Sequence, residues 1–412
     1  LFNPSSFASA GPVFIPGEGE GVFGGMDGLA LPTQRSEGGW WVEAGVPGMS
    51  MRSIQFIPSQ AREDESWFSA DLARRQIETP FYRISWDNQG KLTSLWDKTN
   101  QREALAGYGN ALEVYEDKPL AHDNWDIDLY YLQKPCEFFT PSGEPAITSR
   151  GSVCVSLRFC YRYHHSTLTQ DMKLYRNNRR IDFVTQVDWR EEHRLLRAAF
   201  KVDVRATKAT YDIQFGHVER PTHFNTSWDY ARFEVVAHKW ADLSDSGYGV
   251  SLLNDCKYGH SVRDNEMRLT LLKSGKYPDT EADMGRHSFT YSLLPHEGTV
   301  TQAQTIEQSH ALNNPVKWVK GRLAPPVNTL LSLPGGDVVI DAVKKAYDDD
   351  CLVVRVHECR GKQTPVSVTS PRTIKAYAAC NMLEEQQEAQ RQSDTVTAVL
   401  RPFESKTWKI WL

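Results

Sequence analysis

Residues 180–204 read Arg-Ile-Asp-Phe-Val-Thr-Gln-Val-Asp-Trp-Arg-Glu-Glu-His-Arg-Leu-Leu-Arg-Ala-Ala-Phe-Lys-Val-Asp-Val, two apolar runs about a charged centre. The first run alternates at Ile181, Phe183 and Val187, the period of a strand with one buried face. The second, 198–204, is nearly continuous. Trp189-Arg190-Glu191-Glu192 between them reads as a polar connection. Similar runs recur at 81–86, 152–163, 232–238, 249–253, 268–272, 289–293 and 352–357, many ending on Gly, Pro, Asn or Asp. A hairpin is expected about Asp87-Asn88-Gln89-Gly90. Helical signal is scarce. The best candidate, 382–392, lacks an apolar face and reads equally as a solvated loop. The pattern predicts an all-β chain of stacked antiparallel β-sandwiches.

The chain divides by composition into three expected segments. A Gly-rich stretch at 17–48 with Gly39-Trp40-Trp41-Val42 and a strand at 51–57 makes 1–75 a small β-sandwich or linking β-domain. Its end, 61–71, is polar and reads as a connector. A large sandwich follows at 76–312. After Asn313-Asn314-Pro315, residues 313–412 form a second small sandwich closed by 402–412.

With 412 residues there is ample chain for sizeable cores, and the formal charge of −5 argues against nucleic acid or an anionic membrane as partner. No apolar run approaches the roughly 18 residues that span a bilayer. The 12 Trp, 16 Tyr and 17 Phe permit a sugar-binding surface without indicating one. Seven scattered cysteines without a C-x-x-C pair suit reduced thiols. The chain opens on Leu1-Phe2-Asn3-Pro4, with no initiator Met and no signal peptide. It is expected to begin inside a longer polypeptide, with a cytoplasmic or vacuolar location. The sequon Asn225-Thr226-Ser227 is expected to be unused, since a glycan would cover the polar block around it.

Three polar clusters stand out from the strands. His217, Arg220, His223, Asn225, Trp228 and Asp229 crowd into thirteen positions. They read as a domain interface in preference to a substrate site, with a turn anchored by Trp228 in the core and Asp229 on backbone N–H groups as the plain structural reading. Asn254, Asp255, Lys257, Tyr258 and His260 follow a strand. There Lys257 is placed to donate to a sugar or a carboxylate, and Asn254-Asp255 reads more plainly as a turn. His122, Asp123, Asn124, Trp125 and Asp126 form a loop read evenly as a substrate rim or as a Trp plug with turn-capping carboxylates. In an extended segment Asp126 and Asp128 would share a face roughly 6–7 Å apart, near the separation a retaining glycosidase needs. Asp-rich loops more often cap turns, so autonomous catalysis is not the expectation. Arg286 is a weaker candidate in a polar loop after Lys273 and Lys276. His217 and His223 have no third ligand at useful spacing, so no metal site is expected in this chain.

In combination, the blocks 211–263, Asn3-Pro4-Ser5-Ser6-Phe7, the hairpin ending 90–97, Glu116–Asp128, Gly285–His296 and Arg401-Pro-Phe-Glu404 resemble the C-terminal β half of glycoside hydrolase family 38. This family is the class II α-mannosidases, and the likeness is to its cytosolic and vacuolar branch. The resemblance covers nearly the whole chain and implies a large β-supersandwich at 76–312 flanked by two smaller β-domains. It implies that the whole protein hydrolyses terminal α-mannosyl linkages of oligosaccharides with retention, through a glycosyl–Asp intermediate and a divalent metal, usually zinc. The family's zinc site uses a His-x-Asp pair, which is absent here, so no nucleophile, acid/base or metal ligand is expected in this chain. The chain would support an N-terminal catalytic half, its expected partner, and contribute rim contacts; a homo-oligomer is open. The alternative is a stand-alone carbohydrate-binding or scaffold sandwich without catalysis.

Overall fold

The computed structural model describes residues 1–412 except 10, 60–65, 322 and 324–326. It is an all-β protein built from antiparallel sheets, with short helical pieces at Leu129–Gln133, Ser227–Tyr230 and Thr305–Asn313 among the described residues. Contact density separates two compact units: Leu1–Ala61 with Ile213–Val218 and His310–Leu412, and Arg62–Asp212 with Glu219–Ser309. The first unit joins N- and C-terminal segments that are distant in sequence.

In the second unit the two runs of 180–204 become strands Ile181–Trp189 and Arg194–Lys201, and they belong to different sheets. Ile181–Trp189 lies in a ten-stranded sheet between Ser166–Tyr175 and Gly285–Glu297, with Tyr248–Asn254 next in order. Arg194–Lys201 lies in a six-stranded sheet between Ala111–Glu116 and Glu266–Lys273. The polar residues 190–193 turn a corner between layers, where buried Glu191 accepts the His165 N–H and the Ser166 hydroxyl at 3.0 and 2.7 Å. The layers meet through aromatic rings: Phe200 of one lies 5.9 Å from Phe183 and 6.3 Å from Tyr291 of the other. Ile181, Phe183, Val187 and Trp189 are buried at alternate positions, as the sequence period requires. Leu195 through Phe200 are buried without alternation, so that strand is covered on both faces.

A five-stranded sheet carries the expected hairpin, Tyr82–Trp86 with Leu92–Asp97. Asp87 Oδ1 accepts the Gln89 and Lys91 N–H groups at 2.8 and 2.9 Å, and Gly90 sits at φ +76°. A Cβ on Gly90 would lie 2.3 Å from the Tyr161 hydroxyl oxygen. Gly90→Ala is expected to cost about 1–3 kcal/mol, lowering the denaturant midpoint with an unchanged m-value.

The first unit contains a five-stranded sheet centred on Leu352–Glu358 and Ser405–Trp411, which pairs with Val338–Lys345 on one side and Ala376–Cys380 on the other. Its core gathers Val354, Val356, Val366, Val368, Trp408 and Ile410. Near the N-terminus Val13, Ile15, Phe23, Trp40 and Val42 form a smaller core.

Some local expectations change. Strand 232–238 shrinks to Val235–Val236, and 51–57 breaks into Ser50–Arg52 and Ile54–Pro58. Residues 382–392 are not helical; they run as a turn and end in the short strand Arg391–Gln392. Of the connector 61–71, residues 61–65 lie outside the described residues and Ser69–Asp71 is an edge strand. Helix Thr305–Asn313 escaped the sequence reading because its buried positions include Thr305, Gln308 and Ser309, which make no apolar stripe. Thr305 Oγ1 lies 2.7 Å from Ser251 Oγ, and Gln308 Oε1 accepts from Asn178 at 3.1 Å. Polar partners replace hydrophobic ones there. None of the seven cysteines is in a disulfide, and no helix among the described residues is long and apolar enough to cross a membrane.

Candidate functional site

The most organised surface feature is the loop after strand Ala111–Glu116, which is latched to the segment after Glu266–Lys273. Asp123 accepts the Lys276 and Tyr277 N–H groups at 2.8 and 2.7 Å, and its Oδ2 lies 3.3 Å from His193 Nδ1. Burial works against ionisation, but those two N–H groups, His193 and Lys273 outweigh it and hold the Asp123 carboxyl below the usual range. Lys273 Nζ donates to Asp117 at 2.5 Å and also to the Asp123 carbonyl. Burial raises the Asp117 carboxyl in spite of that lysine. Asn124 Nδ2 donates to the Asp279 carbonyl at 3.0 Å. The backbones cross at Gly275, where a Cβ would lie 2.3 Å from Asn124 Oδ1 and 2.5 Å from the Asp123 carbonyl oxygen. Only glycine admits that approach.

The outer side of the latch is aromatic. Trp125 is 68 % and Tyr277 63 % exposed, and the His122 ring lies 5.8 Å from Trp125 and 6.1 Å from Tyr277. The Trp-plug reading is thereby overturned for the ring, while Asp123 does satisfy backbone donors. The chain turns through 122–126, with Trp125 N and Asp126 N both donating to the His122 carbonyl, so the extended geometry assumed for an Asp126–Asp128 pair is not adopted. Asp128 instead accepts the Leu120 N–H at 2.8 Å. Tyr277 and His193 escaped the sequence reading. An aromatic beside proline in the polar run Ser274-Gly-Lys-Tyr-Pro-Asp279 was the available signal for the first.

The 217–229 residues divide between the two units. His217 packs at 4.8 Å against Phe403 in the first unit, whereas Arg220, His223, Trp228 and Asp229 belong to the second. Arg220 lies over the Tyr211 ring at 4.8 Å, and burial lowers its guanidinium pKa. Thr226 and Asp229 form a reciprocal capping box on Ser227–Tyr230: Asp229 N donates to Thr226 Oγ1 at 3.1 Å, and Thr226 N to Asp229 Oδ2 at 3.3 Å. The Thr226 hydroxyl, first among several partners, holds the Asp229 carboxyl below its ordinary value. His223 Nδ1 lies 3.7 Å from Asp229 Oδ2. Trp228 is not core; it is 79 % exposed.

In the third cluster Asn254 Oδ1 accepts the Lys257 N–H at 2.7 Å, and Asp255 accepts the Thr290 N–H at 2.9 Å, so the turn reading describes both. Lys257 Nζ lies 4.6 Å from the Phe289 ring centre. Tyr258 is half exposed, beside His238 at 5.6 Å. His260 is not a surface contact: it is 1 % exposed in strand Gly259–Arg263, and burial, aided by Arg197 and Arg220, lowers its pKa to about 3. Arg286 is exposed, with Asp188 Oδ2 at 4.0 Å from its Nε. Among the described residues no group of three or more His, Cys, Asp or Glu side chains is placed to hold a metal ion.

The family description "Glycosyl hydrolases family 38 C-terminal domain" matches residues 77–281, and "Glycosyl hydrolases family 38 C-terminal beta sandwich domain" matches 337–408. The chain belongs to glycosyl hydrolase family 38, as its C-terminal portion. Among curated relatives, it is 38 % identical over 356 residues to alpha-mannosidase G of Dictyostelium discoideum, covering 81 % of this chain and 32 % of the relative. It is 38 % identical over 316 residues to human alpha-mannosidase 2C1, covering 75 % and 30 %. The chain thus spans about a third of the length of the curated relatives it matches. An alpha-mannosidase from Enterococcus faecalis V583 shares the fold at a TM-score of 0.79 and 17 % identity, over 99 % of this chain and 55 % of that one.

Proposed function

We propose that this chain is the C-terminal portion of a retaining α-mannosidase that removes terminal α-mannosyl residues from oligosaccharides. The observation that carries the reading is the 38 % identity to two α-mannosidases, each about three times as long as the matched part. In this reading the nucleophile, the acid/base and the zinc belong to the preceding catalytic half. The chain's own residues support that half and shape the rim of its pocket. Trp228, the large aromatic on the capped turn, and half-exposed Tyr258 are candidates for the docking face, since exposed aromatics of this size mark interaction surfaces. Asp255, Lys257 and Arg286 are secondary contributors. The location proposed for the whole enzyme is cytoplasmic or vacuolar.

The test begins with the intact mass of the natively purified protein under denaturing conditions, followed by hydrolysis of p-nitrophenyl α-mannoside with the product anomer read by NMR. The expected result is a polypeptide, or a tight pair, larger than 46.8 kDa that releases α-mannose, while the 412-residue chain alone releases none. Hydrolysis by the 46.8 kDa chain alone would overturn the division of labour, and a β-anomer as first product would overturn retention. A lone, inactive 46.8 kDa species would favour the binding-module alternative.

A further inference from the structure

We propose that His122, Trp125 and Tyr277 form a stacking platform for one pyranose ring of an α-mannoside oligosaccharide, with Asp123 as its positioning residue. The sugar class rests on the α-mannosidase reading above; the platform itself rests on geometry.

The two loops are held rigidly from beneath and left open on top. Below, Asp123 binds two N–H groups and His193, Lys273 bridges Asp117 and the Asp123 carbonyl, and Asn124 reaches Asp279. Above, the His122 ring lies edge-on to Trp125 and tilted against Tyr277, and both of these are about two-thirds exposed. Ordering a loop has an entropic cost, and here the contacts that offset it all lie under the rings. The rings are thus preorganised without being buried, which suits recognition better than core filling.

The chemistry around the rings selects the ligand. A pyranose presents an apolar C–H face to an aromatic ring and hydroxyls at its edge, and Asp126 and Asp279 offer exposed acceptors in the same two loops. A nucleotide or other phosphate ligand would require free cations. The loop lysines are already committed: Lys276 Nζ lies 2.8 Å from Glu192 and donates to the Thr280 carbonyl at 2.6 Å, and Lys273 is turned inward to Asp117. A neutral, hydroxyl-rich ring fits; an anion does not.

Asp123 acts through other residues. Its two acceptors fix the Lys276 and Tyr277 N–H groups, so removing the carboxylate frees the Tyr277 segment and the Trp125 turn together.

The experiment is calorimetric titration of the 412-residue protein with an α-linked mannotriose, alongside KM for the same sugar in the complete enzyme. Trp125→Ala and Tyr277→Ala are each expected to raise Kd by about threefold to tenfold, the range of one aromatic contact. Asp123→Asn is expected to raise Kd and also to lower the fluorescence anisotropy of Trp125 in a protein whose other tryptophans are silenced by difference against Trp125→Ala. Tyr347→Ala, at an exposed site of the other unit, is the control and is expected to change nothing. No mannotriose binding by the parent protein, or a Kd unchanged by Trp125→Ala, overturns the platform. Unchanged anisotropy and Kd in Asp123→Asn overturn the positioning role. The two readings fail separately. Mannotriose binding that depends on Trp125 in an enzyme that cleaves no mannoside would sink the α-mannosidase reading alone. Cleavage with a KM indifferent to Trp125→Ala would sink the platform alone.

Discussion

Arg180→Ala is expected to destabilise the second unit by about 3–5 kcal/mol, a large fraction of the roughly 5–15 kcal/mol that keeps a domain folded. Arg180 Nε and Nη2 grip Asp182 at 2.6 and 2.9 Å inside the ten-stranded sheet, and Nη1 donates to the Gln308 carbonyl at 3.2 Å. Tyr175 and Ser292 hydroxyls complete the shell around Asp182 at 2.6 and 2.7 Å. Burial alone would raise the Asp182 carboxyl, and Arg180 reverses this, holding it below its ordinary value. The paired carboxylate therefore contributes stability above its unfolded pKa, and that contribution disappears as pH falls through the lower folded value. Without Arg180 burial wins and the folded pKa rises above the unfolded one. The sign then inverts: the variant loses stability as pH rises through the raised value. Urea denaturation at pH 5 and 8 should show a smaller gap between parent and variant at pH 5. Arg180→Met combined with Asp182→Leu should recover much of the loss, because no charge is then left unpaired. A loss below about 1 kcal/mol for Arg180→Ala, or a gap indifferent to pH, contradicts this account.

Acidification from pH 7 to pH 5 is expected to cost about 2 kcal/mol through His260 alone. The ring is buried beside the Arg197 and Arg220 guanidinium groups, and its pKa falls from 6.5 to about 3. Between those values the unfolded chain binds a proton that the folded chain refuses, so stability declines as pH drops below 6.5, by about 1.4 kcal/mol per unit. His296 works in the opposite sense. Burial disfavours its charge, but Asp242 at 2.7 Å raises its pKa, so its contribution is complete below the unfolded value and fades as pH rises through the folded one. The two histidines are separable by substitution. His260→Gln should flatten the acid limb of the stability profile measured at pH 5, 6 and 7; parallel profiles for parent and variant would exclude His260 as its source.

What the sequence disclosed follows from which forces leave a period in it. Ile181, Phe183 and Val187 bury one sheet face, so their strand was legible to within a residue at its start. Asp87 and Gly90 are turn chemistry, and the hairpin appeared where they put it. Thr305, Gln308 and Ser309 are buried by hydrogen bonding, which leaves no hydrophobic rhythm, and their helix went unseen. The glutamate and glutamine run at 384–388 has good helix formers but no face to bury, and it stayed a turn. The candidate site was half legible for a related reason. Residue type singled out Asp123 and Trp125, but not which points inward; Asp123 lies beneath the latch and Trp125 above it. His260 was misplaced by the same limitation, since a polar cluster in sequence does not reveal which member the sheet will bury. Tyr277 meets His122 where Gly275 lets two distant backbones cross, a tertiary contact with no local trace.

The corner at 190–193 also bears on the order in which the molecule is assembled. Ile181–Trp189 and Arg194–Lys201 are separated by four residues yet lie in opposite layers, whereas the in-plane partner of Ile181 is Leu293, far along the chain. Closing the long span costs about 1.6 kcal/mol more chain entropy than bringing Phe183 to Phe200, since the penalty grows by roughly 0.6 kcal/mol with each doubling of length. Phe183 and Phe200 can thus find each other before either sheet has its full complement of neighbours. The hydrophobic seam between the layers is cheaper to make than that long pairing, and with the equally local hairpin of Ser166–Tyr175 and Ile181–Trp189 it gives the wide sheets a ready-made fold to grow from.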